Sequence, residues 1–288
     1  MDIIIIGLLL GGSYALMAMG LQLQYGVARI MNLANGEILV CGAFGAIWFF
    51  TASRLSPIYA LVFVAPLAFL VNWLIYRVMM LPLVKRAKNQ GQLEVDSILA
   101  TFGLSFIVIG ILLAVFGGEF LTYSYLARPV SIFGVPYALN RIAAFLGSVG
   151  LCAGLYIWLH WTRAGLTLRA VSVNPAAAGL VSINVPRASA LAFALGGAVT
   201  AAGGVLLSMF LTFDASLGVV FTLKALVIVI MGGVSDVRGA IIASFILGLT
   251  ETAVATLVDP GLTLAAAYIL FIVILLVRPE GLFGRRSS

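Results

Sequence analysis

Nine stretches of this chain are apolar almost without interruption, at about residues 3–25, 33–53, 57–80, 97–117, 142–160, 188–210, 221–232, 240–257 and 262–277. A helix of ~20 apolar residues spans the hydrocarbon core of a bilayer, and most of these stretches reach that length. Inside hydrocarbon every backbone N–H and C=O must find a protein partner, so only helices and closed barrels cross it. The runs are continuous rather than alternating, which disfavours a β-barrel. The chain is 63% hydrophobic and 9% charged, where a soluble domain is ~25% charged. No water-soluble fold of 288 residues hides that much apolar surface. The expected fold is therefore all-α and polytopic, a bundle of eight or nine transmembrane helices forming one domain over residues 1–288. The stretch 221–232 is too short to span alone and 262–277 is marginal. A half-helix or re-entrant piece is expected near Gly232 and Gly233, since irregular backbone is tolerated where protein or water covers it. The opening MDIIII has no basic n-region, so no cleavable signal peptide is expected.

Basic residues set the orientation. Alternating crossings place the loops 81–96, 161–187 and 278–288 on one side, together with Arg29, Arg77 and Arg238. That side then holds 12 of the 16 Lys and Arg residues, and the positive-inside rule makes it cytoplasmic, with the C-terminus inside. Arg54, Arg128 and Arg141 lie opposite, and Lys224 falls within a membrane segment. The net charge of +6 is explained by this bias and does not point to nucleic acid.

The longest polar interruption is 162–187, TRAGLTLRAVSVNPAAAGLVSINVPR, which carries Arg163, Arg169 and Arg187 and no acid. Its pattern predicts a short helix, a break at Asn174-Pro175, a small-residue helix over 176–179 and a second break at Pro186. It is either a docking surface for a soluble partner or a solvated connector. Small residues recur at spacing four in two segments, Ala192, Gly196, Thr200 and Gly204 in one and Ala240, Ser244, Gly248 and Thr252 in the other. Gly7 and Gly11 form a similar pair. Such ridges let helix backbones approach closely. Intrachain packing is the first reading, with a dimer interface or path lining as the alternative.

Polar groups at membrane depth are expensive and therefore functional candidates. Asn32, Asn35 and Glu37 open the second segment, where Asn35-Gly36 signals a turn; the choice lies between a helix break facing a cavity and a capped helix end. Gln22 and Gln24 sit late in the first segment and have the reach to hydrogen-bond across helices. Lys224 is expected to snorkel from the outer end of its segment. Glu251 is the most embedded carboxylate and must pair, protonate or touch water. An interhelical hydrogen bond and a solute contact are both open for it. No Ser-His-Asp set, HExxH or phosphate-binding GxxxxGK[ST] loop is present. His160 sits between Trp158 and Trp161 in an interfacial belt, and Cys41 and Cys152 stand alone, so no metal site is expected. An enzyme is disfavoured. A self-sufficient channel or secondary transporter, with Glu37, Lys224 and Glu251 as its ion path, is the rival to an externally powered permease.

Four stretches in order resemble one family. They are GLLLGGSYALMAMGLQLQYGVARIMNLANGEI at 7–38, ILATFGLSFIV at 98–108, the island 162–187, and LKALVIVIMGGVSDVRGAIIASFILGLTE at 223–251 followed by VRPEGLFGRR at 277–286. Together they resemble the permease subunits of branched-chain amino acid ABC importers of the bacterial inner membrane, over nearly the whole length. The resemblance implies a second homologous permease chain, two ATPase subunits carrying the ATP and Mg chemistry, a periplasmic solute-binding protein, and no cofactor in this chain. It also implies an ATPase-coupling helix around 174–183, drawing on Asn174, Pro175, Ala176, Ala177, Ala178, Gly179, Leu180 and Ile183, with Arg163 and Arg169 beside it. The translocation-path candidates are then Gln22, Asn32, Asn35, Glu37, Lys224 and Glu251. The sequence departs from the family in two places. Asn35 stands where a histidine is common, and Asp236 and Arg238 charge the turn after Gly232-Gly233.

Overall fold

A computed structural model describes residues 2–54, 56–123, 125–126, 128–132, 135–234 and 236–283; part of the tail stretch noted above, 284–286, and Ser235 lie outside the described residues. The described chain is almost entirely helical. Eight helical stretches are long and apolar enough to cross a membrane, and a ninth apolar helix is shorter. They are α1 (Asp2–Ala28), α2 (Asn35–Ser53), a continuous stretch formed by α3 (Pro57–Ile75), a π-turn (Tyr76–Met80) and α4 (Leu81–Arg86), then α5 (Gln90–Phe116), α6 (Leu139–Trp161), α9 (Val185–Leu207), α11 (Val237–Leu257) and α12 (Thr263–Val277) together with the 3-10 turn Pro260–Leu262 that leads into it. The short ninth is α10 (Gly218–Gly232), and α7 (Arg163–Val173) and α8 (Pro175–Leu180) fold the polar island. A two-stranded antiparallel hairpin, β1 (Pro129–Ile132) with β2 (Val135–Ala138), joins α5 to α6.

The bundle is sorted by burial. Helices α1, α2 and α9 are enclosed over more than half their length, whereas α3, α5, α6 and α12 turn most of their surface outward. Outward residues such as Phe63, Phe106, Leu146 and Leu276 are large and apolar, as expected where the solvent is lipid. The small-residue ridges explain why the inner helices pack so tightly. A Cβ on Gly196 would run into the Gly20 carbonyl, and one on Gly204 would run into the Leu39 carbonyl. On α11, a Cβ at Gly248 would stand 2.6 Å from the Gly7 carbonyl oxygen and 2.7 Å from the Gly11 Cα. Without a hydrophobic difference between lipid and side chain, this close packing is a main driving force of association. The ridges are therefore intrachain contacts, the first of the two readings. Gly204→Ala is expected to cost about 1–3 kcal/mol through overpacking, read as a lowered melting temperature in detergent. Gly103→Ala is the control, because a Cβ there would meet nothing within 4 Å.

Two helices open inside the bundle rather than at its surface. Residues 29–34 are non-helical and run along α5. The Met31 amide donates to Ser97 Oγ at 3.3 Å and the Leu33 amide to Thr101 Oγ1 at 3.0 Å; one turn further, Ser105 Oγ donates to Glu37 Oε1 at 2.7 Å. Ser105 lies fifteen residues into α5, about 22 Å along it at 1.5 Å per residue. The first turn of α2 thus begins roughly halfway along a spanning helix. The first residue of α10 lies at the same depth, since a Cβ on Gly218 would be 2.9 Å from the Glu37 carboxyl carbon. A half-helix is present as expected, but its internal end is at Gly218. The Gly232-Gly233 end forms the turn into α11, where Gly233 takes φ +100°, a conformation that favours glycine.

Candidate functional site

The polar island folds as a helix corner. Thr162 caps α7 by accepting from the Gly165 amide at 3.0 Å, and Asn174 caps α8 by accepting from the Ala177 amide at 3.0 Å. Pro175 sits in the first turn of α8, where its missing N–H is not needed. Pro186 likewise opens α9 instead of breaking the chain, with Asn184 as its cap. Leu168, Val171 and Ala178 are buried against Leu23, Val27 and Ala188, which fixes the corner to α1 and α9. The remaining surface of α8 faces outward. Ala176, Ala177 and Gly179 are exposed, and the apolar Leu180 is 89% exposed with Val181 at 69% and Val173 at 74%. Arg163, Arg169 and Asn174 are exposed alongside, and Ile183 is partly covered. The corner is thus a capped helix that buries one alanine and leaves Leu180 and Val181 exposed.

The membrane-depth candidates fall into two clusters, neither of them on the outer surface. In the first, Asn32 Nδ2 donates to Gln24 Oε1 at 2.9 Å, and Gln24 Nε2 donates to the Phe193 carbonyl of α9 at 3.2 Å. Thr200 donates to Asn35 Oδ1 at 3.0 Å. Thr222 receives the Gly36 amide at 2.7 Å and donates to the Leu33 carbonyl at 3.0 Å. Serine and threonine hydroxyls from α5 and α10 therefore replace water around the irregular 31–36 backbone, as such a segment requires within a bilayer. Asn35 does not cap α2; the residue before the helix is Ala34, and Asn32, Ala34 and Asn35 are buried in protein. Gln22 lies two residues before Gln24 on α1 and donates to the carbonyls of Gly233 and Val234, tying α1 to the α10–α11 turn.

In the second cluster, Lys224 does not snorkel. Its Nζ lies 2.8 Å from Glu251 Oε2 and 2.9 Å from the Tyr14 hydroxyl, which itself donates to Glu251 Oε2 at 2.8 Å. The reason is depth: α10 opens inside the bundle, so its second turn never reaches an interface. The triad links α1, α10 and α11, and Glu251 pairs, one of the outcomes open to it. Among the described residues this is the one ion pair. Tyr14, Ser97, Thr101, Ser105 and Thr222 were not singled out from the sequence, and Thr200 was read only as part of a packing ridge. The hydroxyls of Ser97, Thr101 and Ser105 at spacing four in an apolar helix were the available signal. Among the described residues no group of three His, Cys, Asp or Glu side chains gathers to hold a metal.

An all-α membrane bundle with enclosed polar crossings and an exposed helical corner defines a polytopic membrane transport component. The sequence profile described as branched-chain amino acid transport system, permease component, matches residues 3–277, and the chain belongs to that family. It is 27% identical to the high-affinity branched-chain amino acid transport system permease protein LivH of Salmonella typhimurium, over 97% of this chain and 94% of that protein. The permease protein BraD of Pseudomonas aeruginosa is 27% identical with the same coverage. The probable branched-chain amino acid transport permease LivH of Methanocaldococcus jannaschii is 25% identical over 93% of this chain and 88% of that one. No solved structure matches the chain significantly.

Proposed function

We propose that this chain is a permease subunit of an ATP-driven ABC importer. With a second permease chain it would form the path for branched-chain amino acids, or related small polar solutes, delivered by a periplasmic binding protein. The observation that carries the reading is α8, whose exposed Leu180 and Val181 stand on a capped, buried-at-one-point helix. Two ATPase subunits, which hold ATP and Mg, would seat that helix, and a rigid-body shift of the ATPase would pass through the α7–α8 corner into α1 and α9. The face bearing α7 and α8 would then be cytoplasmic, the C-terminus with it, in the inner membrane of a bacterial cell. The six polar residues named for the path are largely enclosed by their own chain. They would therefore hold the broken helices α2 and α10 in register and meet solute only when the bundle opens. The channel reading gains nothing from the structure, since Lys224 and Glu251 neutralise one another.

The decisive experiment is gentle purification in nanodiscs with mass spectrometry of the co-purifying chains. Two ATPases and a second permease in stoichiometric amounts are expected. This chain alone, moving solute in liposomes without ATP, would overturn the proposal. Orientation is tested by a cysteine at Ala177 in a background lacking Cys41 and Cys152. An impermeant maleimide should label it in inverted vesicles and not in intact cells; the reverse pattern sinks the cytoplasmic assignment.

A further inference from the structure

Two adjoining cavities meet at the end of the bundle that carries α7. One is an apolar groove of about 380 Å³ between α1, α6 and α11, lined by Ala15, Cys152, Ile241 and Phe245 among others. The other, about 510 Å³, lies at the ends of the same helices and is lined by Arg29, Arg169, Arg238, His160 and Asp236. Tyr156 and Arg238 line both, so the apolar space leads directly into the charged one. Arg238 donates from Nε and Nη2 to the Tyr156 hydroxyl, at 2.9 and 2.6 Å, which holds the guanidinium at the junction. Arg29 is held by donation to the Ser172 carbonyl at 3.0 Å. Among the described residues none of the three arginines makes an ion pair. The one acid in the pocket, Asp236, is occupied in capping α11 through the Arg238 amide at 2.9 Å.

The depth is that of a lipid headgroup. Arg29 follows the last residue of α1 and Arg238 is the second residue of α11, so both stand where spanning helices leave the hydrocarbon. Trp158 and the 83%-exposed Trp161 mark the same level on α6, as interfacial tryptophans do. Arginine suits phosphate because its planar fork donates two parallel hydrogen bonds. On the groove side Val149 and Ile242 are exposed, so an acyl chain can enter laterally from the bilayer.

We propose that this composite cavity is a binding site for one anionic glycerophospholipid. Its phosphate lies among Arg29, Arg169 and Arg238, and an acyl chain lies in the α1–α6–α11 groove. The charge balance favours an anionic headgroup, because three guanidiniums face one engaged carboxylate. The occupant would pin α7 against α1 and α11, the elements between the island and the broken helices. Only the leaflet, cytoplasmic, rests on the orientation proposed above. Lipid binding is measured in detergent without reference to sidedness, so the two proposals fail separately.

The test is native mass spectrometry of the full-length chain, with whatever subunits co-purify, after delipidation and titration with phosphatidylglycerol or phosphatidylcholine. One phosphatidylglycerol per chain should be retained in preference to phosphatidylcholine. Each of Arg169→Gln and Arg238→Gln should weaken that retention about fivefold, from ~1 kcal/mol per basic residue near a charged lipid surface. Ala153→Phe, which fills the groove from an exposed position, should also release the lipid while the chain keeps its melting temperature. Unchanged retention in the arginine variants would overturn the site. Loss in those variants with no effect of Ala153→Phe, and displacement by inorganic phosphate, would show a free-phosphate contact and overturn the lipid as occupant.

Discussion

Lys224→Met is expected to destabilise the protein by roughly 3–5 kcal/mol, because removing one partner of a buried pair leaves the other charge uncompensated. Glu251 is 3% exposed and its other carboxylate oxygen has no partner among the described residues, so the Tyr14 hydroxyl alone would face the orphaned charge. The expected result is poor recovery of folded chain from detergent and a sharply lowered melting temperature. Lys224→Met combined with Glu251→Leu should regain most of the loss, since well-packed apolar residues can replace a buried pair at little cost. Glu251→Gln tests the same point from the other side. The amide keeps the Tyr14 contact but leaves the Lys224 ammonium without a counter-charge, so it should fall between the wild type and Lys224→Met. If the double variant folds well and still transports, the triad is structural. If it folds well and transport is abolished, the charges act on solute or on the conformational cycle. Normal stability of Lys224→Met alone would refute the pairing.

Gly179→Arg and Leu180→Asp are expected to leave insertion and folding intact while disconnecting the chain from its ATPase. A Cβ on Gly179 meets nothing within 4 Å, and Leu180 is almost wholly in solvent, so neither change disturbs the chain itself. At a protein interface, an apolar anchor buried at the centre contributes ~2 kcal/mol or more, about 30-fold in affinity. Co-purification of the ATPase should fall by that order, and substrate-stimulated ATP hydrolysis should no longer drive uptake. Ala178→Arg is a poorer probe than its neighbours. Ala178 is the one residue of α8 that is buried, against Leu168 and Val171, so that substitution would break the corner. Normal coupling in both the Gly179 and Leu180 variants would remove α8 from the mechanism.

The two results read different parts of one device. The triad and the hydroxyl cluster hold α2 and α10, the helices that open inside the bundle. The α7–α8 corner is attached to α1 and α9, and α9 is the helix against which α2 packs through Gly42, Thr200 and Gly204. A displacement at α8 therefore has a continuous packed route to the broken helices, through side chains with little free volume.

The spans, the polar island with its break at Asn174-Pro175, the glycine ridges and the family were all legible in the sequence, because each is a local signal. Apolar length, period-four small residues and an Asn-Pro break are properties of neighbours along the chain. Lys224 was misplaced for the same reason. Sequence position made it look like an end residue, whereas its depth depends on α10 starting inside the bundle. The partners that decide its chemistry lie 27 and 210 residues away. Likewise, Asn35-Gly36 opens α2 and the break lies before it at 29–34, and only the approach of α5 and α10 determined whether water or protein would cover that break. Sequence alone determined what must be buried in lipid; which polar group satisfies which, at distances under 3.5 Å, was decided by the tertiary structure, since a hydrogen bond is specified by proximity and not by periodicity.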